Sequence, residues 1–344
     1  MSKGIKRRFI IPIFIPHQGC PHRCVFCQQS TITNVSEQLR TPHDIKAAIE
    51  SAIRSKRFSS HRPKEIAFYG GTFTALPTSS MKGMLNAVMP FMKQGVIGAI
   101  RLSTRPDTID EKVLDILQSY GVATVELGVQ SMDDKVLTLS NRGHTASDTV
   151  NAVRLLKKRG FTVGVQLMPG LPGDSSEVFM DTIGKVVDLK PHMARLYPAL
   201  VLKGTKLAQW YQQGKYTPMG LDETVSVCKD ACMRLEASGI PVIRIGLMSS
   251  PSLLNEGEII AGPWHPSLGF LVRSAMHIDR VRPYLPAPGE TKAITLRAPR
   301  REIPLLKGYK NSGLKHLESI TGATIDNILP DDSIAPCQVA FDTR

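Results

Sequence analysis

Apolar positions along the chain gather into short, β-rich runs: "RFIIPIFIP", "EIAFYGG", "GAIRLSTRP", "ATVELGVQS", "FTVGVQLMPG" and "MARLYPALVLKG". Between most of them the apolar residues return at helical spacing. Ile45, Ile49, Ala52 and Ile53 share one face, as do Val113, Leu114 and Leu117, and then Val150, Val153 and Leu156 with Leu155 alongside. Strand and helix patterns in alternation predict βαβ units on a parallel sheet. Polar and glycine-rich residues sit where each of the six strands ends. That placement predicts an α/β fold, a partial (β/α)6 TIM-like barrel with its chemistry at the carboxyl-end rim. After about residue 205 the pattern changes to a helix from Asp222 to Ser238, a strand "IPVIRIGLM" and the loop-like "NEGEIIAGPWHPSLGF". The expected organisation is a barrel over residues 1–205 and an α+β C-terminal extension over 206–344 packed on it.

Composition narrows the class. The 344 residues are 42% hydrophobic, enough for a well-buried globular core. There is no long apolar run, and "MSKGIKRRFI" leads into a strand and not a signal-peptide core, so a cytoplasmic protein with no membrane association is expected. In a reducing compartment, clustered cysteines point to metal ligands or redox groups before disulfides. The net charge of +13 favours a polyanionic partner, with nucleic acid the obvious class. The positive residues cluster in "KGIKRR", in "RSKRFSSHRPK" around Arg57 and in "LRAPRREIPLLKGYK", none with the aromatic interleaving of a base-stacking platform.

The chemistry concentrates in "GCPHRCVFCQQ", where Cys20, Cys24 and Cys27 form C-x3-C-x2-C on a loop after the first strand. A structural zinc site wants four protein ligands, and the one nearby substitute, His22, is wedged between Cys20 and Cys24. A four-iron cluster held by three cysteines keeps one iron open to a ligand that is not protein.

This spacing, with the aromatic Phe26 before the last cysteine, resembles the signature of the radical S-adenosylmethionine (SAM) superfamily. The resemblance implies a [4Fe-4S] cluster on Cys20, Cys24 and Cys27. SAM would chelate its open iron and be cleaved reductively to a 5′-deoxyadenosyl radical, with electrons from a reductant such as flavodoxin or ferredoxin. Several further residues look like the family's cofactor contacts. Gly70 and Gly71 of "FYGGTF" resemble the glycine motif that lets a backbone carbonyl meet the cofactor's amino group, with Thr72 in place of the usual glutamate. Ser103 matches a polar contact, Gln130 a ribose-side contact, and Arg142 of "SNRGHT" the partner of the methionine carboxylate. Gln166 stands where relatives carry a ribose-binding acid. Glu126, Gly128 and Gln130 fall on one face by strand alternation.

"STRPD", "VELGVQS", "NRGHT", "LMPGLPG" and "YPALVLKGTKL" are similar to the radical SAM domain of the Elongator catalytic subunit over roughly residues 8 to 217, without its acetyltransferase domain. That implies RNA as substrate, with transfer RNA modification at a wobble uridine the specific form. A radical SAM oxidoreductase acting on a porphyrin-like or other small molecule is the alternative, and an electron-transfer or zinc-structural module the third reading. Cys228 and Cys232 share a helical face, and with Cys337 they offer a second cluster or else pack as small hydrophobes. Trp264 and His265 are candidates for substrate contact or for capping the barrel mouth, His144 for orienting the Arg142 loop, and Tyr197 and Lys203 for the rim of the sixth strand.

Overall fold

A computed structural model describes residues 8–35, 40–56, 58 and 62–343. Most of "KGIKRR", together with Arg57 and residues 59–61 of the second basic stretch, lies outside the described residues. The strands in chain order are β1 (Phe9–Ile15), β2 (Lys64–Gly70), β3 (Ala99–Thr104), β4 (Val122–Gln130), β5 (Thr162–Leu167), β6 (Met193–Leu196), β7 (Val201–Leu202), β8 (Val242–Ile245), β9 (Ile259–Ala261), β10 (Ala293–Ala298), β11 (Thr324–Pro330) and β12 (Ala340–Thr343).

Seven of them form one open, all-parallel sheet in the order β1-β2-β3-β4-β5-β6-β8. The first six are the runs read from the sequence, and neighbours in the chain are neighbours in the sheet. This is the α/β partial barrel expected, one strand longer. The seventh strand comes from "IPVIRIGLM", beyond the predicted barrel, and it pairs with β6. Its apolar run is short enough to read equally well as part of an extension, so only the pairing identifies its sheet.

The helices between the strands start where capping chemistry permits. Thr41 and Asp44 form a capping box ahead of the helix Pro42–Arg54, and Thr145 and Asp148 form another ahead of Ala146–Lys158. Asp110 and Ser175 cap Glu111–Ser119 and Ser176–Leu189. The first three bury the faces that the periodicity marks, with Ile45 and Ile49, Leu114 and Leu117, and Val153 and Leu156 inside, and the fourth buries Phe179, Ile183 and Val186. With helices covering the sheet, the strand interiors read as near-continuous buried runs, as in β4, where only Ala123 is exposed.

The chain divides into two compact units, one of residues 1–219 and 235–263, the other of residues 220–234 and 264–344. The first holds the seven-stranded sheet and the short β7–β9 ribbon. The second holds a three-stranded sheet, β11-β10-β12, with β10 parallel to β11 and antiparallel to β12. Its own core is built from Ile278, Val281, Ile294, Leu296, Leu306, Leu317 and Val339. No helix among the described residues is long and apolar enough to cross a membrane.

Candidate active site

The cysteine loop follows β1 directly and is fastened to the loop after β2 by backbone contact. The Gly71 N–H donates to the Ile15 carbonyl at 3.0 Å, and the Thr72 N–H donates to the Gln18 carbonyl at 2.8 Å. The approach needs glycine on both sides. A Cβ on Gly71 would stand 2.1 Å from the Gln18 carbonyl oxygen, and one on Gly19, at φ +72°, would stand 2.2 Å from that of Thr72. Gln29 adds a side-chain rivet, with Nε2 donating to the Gly70 carbonyl at 2.7 Å and Oε1 accepting from the His17 N–H. On the other flank Val25 donates to Ser140 and accepts from Leu207, and Phe26 packs against two apolar clusters that include Val201 and Leu171. Gly71→Ala is therefore expected to force the two loops apart, lowering stability by about 1–3 kcal/mol. A variant with the wild-type urea midpoint would show that the contact yields without cost.

Two of the thiols meet polar side chains, one from the loop after β2 and one from the loop after the helix Asp134–Leu139. Thr72 Oγ1 is 3.4 Å from Cys20 Sγ, and Arg142 Nη1 donates to Cys24 Sγ at 3.2 Å. Burial pushes the Cys20 thiol up, with Cys24 acting in the same direction and Thr72 against it. For Cys27, burial and then its neighbours Cys24 and Cys20 push the thiol up to about 12. Such a group holds thiolates together only against a compensating cation. His22 Nε2 lies 3.3 Å from Arg105 Nη1, and Arg105 is held bidentately by Asp107 at 2.9 and 2.8 Å.

β4 ends in a local irregularity that aims two of the expected residues. The register with β5 slips between Gly128 and Gln130, and Gln130 adopts φ +66°, a left-handed conformation that a side chain rarely takes. Arg142 Nη2 donates to the Gly128 carbonyl at 2.6 Å, which sets the guanidinium between that carbonyl and Cys24. Gln130 Oε1 and Arg142 Nε are buried without a hydrogen-bond partner.

Behind Arg142, His144 is buried with Nε2 3.2 Å from the Val129 carbonyl. Burial, then the Arg142 and Arg105 guanidiniums, push its pKa down to about 3. The unfolded imidazole protonates near pH 6.5. Because the folded value is depressed, the contribution is present above about pH 6.5 and is lost as pH falls toward 3, at about 1.4 kcal/mol per pH unit. His144→Asn should flatten the wild-type stability curve between about pH 6 and pH 4 in urea unfolding. An unchanged slope would mean that the fold accommodates a protonated His144.

Under the site, alternate positions of five strands carry a buried ion network. Glu126, 1% exposed, accepts from Arg101 Nη1 at 2.7 Å and Arg195 Nη2 at 2.9 Å, with Arg195 Nε 2.6 Å away. Arg101 reaches back to Glu65 at 3.0 Å, and Gln166 Nε2 donates to Glu126 at 3.2 Å and to Ser103 Oγ at 3.3 Å. Arg195 also donates to the hydroxyls of Tyr69 and Tyr197. Burial by itself would push the Glu126 carboxyl up; Arg195 and Arg101, with their hydrogen bonds, outweigh it and hold the carboxyl below the usual range.

A cavity of about 480 Å³ opens at the carboxyl ends of the strands, inside the first unit. Cys20, Cys24, Phe26, Cys27, Gly70, Gly71, Thr72, Ser103, Gln130, Arg142 and Gln166 all line it. Glu126 does not: it is spent in the network below the floor, one turn of the strand pleat deeper than Gly128 and Gln130. Tyr197 also lines the cavity, while Lys203 is exposed and outside it. His265, in the second unit, packs edge-on against Tyr309 at 4.7 Å. The sequence reading missed Arg101, Arg105, Arg195, Tyr69 and Arg244, of which all but Arg101 line the cavity. A signal existed for some of them, since Tyr69, Arg101 and Arg195 alternate in step with Gly71, Ser103 and Tyr197 and put charge or hydroxyl inside otherwise apolar strands.

A family model described as the Radical SAM superfamily matches residues 14–186, and one described as the Radical_SAM C-terminal domain matches residues 191–277. An uncharacterized protein of Methanocaldococcus jannaschii is 32% identical over 238 residues, covering 66% of this chain and 73% of that one. A tRNA uridine(34) acetyltransferase of Dehalococcoides mccartyi is 28% identical over 231 residues, 58% of this chain and 50% of that one. Among solved structures, the archaeal Elp3 of Methanocaldococcus infernus with an N-terminal deletion superposes with a TM-score of 0.60 at 26% identity, over 79% of this chain and 63% of that one. The chain thus spans about half the length of that acetyltransferase and less than two thirds of the solved Elp3 chain. These matches cover the barrel, and the Elongator-like motifs read from the sequence fall within them. The chain belongs to the radical SAM superfamily of enzymes.

Proposed function

We propose that Cys20, Cys24 and Cys27 hold a [4Fe-4S] cluster whose open iron binds SAM, and that the enzyme modifies RNA, with a transfer RNA wobble uridine as the target. The observation that carries this reading is the convergence of the three thiols with Thr72, Gln130 and Arg142 on one cavity at the strand ends. The donor set fits the group: three thiols on one loop, burial that disfavours free thiolates, and two buried polar atoms, Gln130 Oε1 and Arg142 Nε, still without partners. When bound, cluster and SAM supply a 5′-deoxyadenosyl radical that takes hydrogen from the substrate.

The chain's own residues bind, orient and exclude water. Arg142, already braced by Gly128 and Cys24, keeps Nε for a carboxylate, a task suited to a planar guanidinium. Gln130 offers an acceptor to a ribose hydroxyl, and Ser103 and Gln166 form a hydrogen-bonded pair on the same wall. Leu200, Leu202, Leu247 and Met248 supply apolar wall that keeps solvent from a reactive intermediate. A cytoplasmic setting, with flavodoxin or ferredoxin as reductant, belongs to the same proposal.

RNA is supported by the tRNA-directed names of the relatives and by the net charge of +13. In the second unit Arg300, Arg301, Lys307 and Lys310 are exposed. The test is 5′-deoxyadenosine release by anaerobically reconstituted, reduced protein with and without total transfer RNA. Stimulation by transfer RNA is expected, with binding that weakens steeply between about 50 and 200 mM salt. Cleavage that ignores transfer RNA would overturn the RNA assignment and turn the search to small molecules; no cleavage under any condition would overturn the radical mechanism.

A further inference from the structure

We propose that His277, Glu302 and Cys337 form a second metal site, a three-ligand site for a zinc-like divalent cation inside the C-terminal unit. The three come from separate segments of that unit. His277 lies on the buried face of the helix Leu268–Val281, Glu302 precedes the short helix Ile303–Lys307, and Cys337 sits in the loop between β11 and β12. Their ligand atoms all lie within 4.8 Å of one another. Two further observations point to a ligand for these side chains. The His277 ring is 4% exposed, yet its Nε2 has no hydrogen-bond partner. The nearest carboxylate oxygen, Glu302 Oε2, stands 3.6 Å away, beyond hydrogen-bond reach. That gap is close to the spacing of about 3.4 Å between two ligands of one tetrahedral ion at usual zinc distances.

The loop is shaped to hold the thiol there. Cys337 adopts φ +61°, and its N–H donates to Glu302 Oε2 at 2.9 Å. A residue with a Cβ persists in that conformation only where surrounding contacts impose it. The donor set selects the ion. One imidazole nitrogen, one carboxylate oxygen and one sulfur suit zinc, whereas magnesium and calcium want oxygen alone and copper(I) wants soft sulfur. Binding converts the Cys337 thiol to a thiolate and releases one proton, leaving a fourth position for water. The ion would pin the helix, the turn before Ile303 and the last loop to one another. Cys228 and Cys232 take no part; both are buried in the helix Leu221–Ala237, and their partner in the sequence reading, Cys337, faces His277 and Glu302 instead.

Elemental analysis of the full-length, cluster-loaded protein separates this site from the cysteine loop, because zinc and iron are counted independently. Zinc supplied in modest excess and then desalted should remain at one per chain. In Cys337→Ser and His277→Gln, zinc retention should fall by about tenfold or more while iron is unchanged. Wild-type protein that retains no zinc, or variants that retain it fully, would overturn the site. Should either variant fail to fold, cobalt(II) added to full-length protein carrying Cys20→Ala, Cys24→Ala and Cys27→Ala must still give thiolate-to-cobalt charge-transfer absorption. Absence of that band in folded protein would also overturn the proposal.

Discussion

Replacing Cys24 with alanine is expected to abolish both the iron–sulfur absorption and 5′-deoxyadenosine release, with iron and sulfide content falling to background. Three ligands leave no redundancy, and no other cysteine lines the cavity to substitute for the lost one. Cys24 is the informative choice because its sulfur also accepts from Arg142 Nη1. Its loss removes a proposed cluster ligand and one of the two braces on the residue proposed for the SAM carboxylate. Cys228→Ala is the control, since that sulfur is buried in a helix and packs as a small hydrophobe. A Cys24→Ala protein that keeps a full cluster would defeat the ligand assignment, whereas one that keeps partial iron but no turnover would place the main damage at Arg142.

Glu126→Gln should cost about 3–5 kcal/mol of folding free energy, among the largest effects available to a single substitution here. Glutamine keeps the volume and some of the hydrogen bonds but removes the charge, leaving Arg101 with Glu65 and Arg195 with only the Tyr69 and Tyr197 hydroxyls. An unpaired buried charge is far more costly than the pair it came from was stabilising. Urea unfolding checks it, as a lowered midpoint with an unchanged slope. The same carboxylate gives the wild type an acid-side dependence. Its folded pKa lies below the unfolded one, so its contribution is complete above about pH 4.3 and is lost as pH falls through that range. A cost below about 1 kcal/mol would mean that water entering from the cavity solvates Arg195, which lines it.

The sequence determined a good deal of this protein by itself. Cysteine spacing, paired glycines and capping residues are short-range signals, and each states a local requirement that no distant contact can alter. "GCPHRCVFCQQ" gathers three thiols on one loop whatever surrounds it, and Gly71 permits the close backbone approach because it lacks a Cβ. Apolar periodicity carried the parallel sheet for a related reason, since a strand covered on both faces must be apolar along its length.

What only the tertiary structure decided are the pairings that depend on register. Glu126 meets Arg101 25 positions before it and Arg195 69 positions after it. Whether it faces a cofactor or a guanidinium depends on where β3, β4 and β6 stop relative to one another. One residue of slip at Gly128–Gln130 is enough to aim Gln130 into the cavity while Glu126 stays beneath it. The short strand Val242–Ile245 and the His277, Glu302 and Cys337 group are of the same kind. The strand had a local pattern but no local sign of its sheet, and the three side chains had none that joined them, because in each case the meaning lies in a partner tens of residues away that only the folded chain brings alongside.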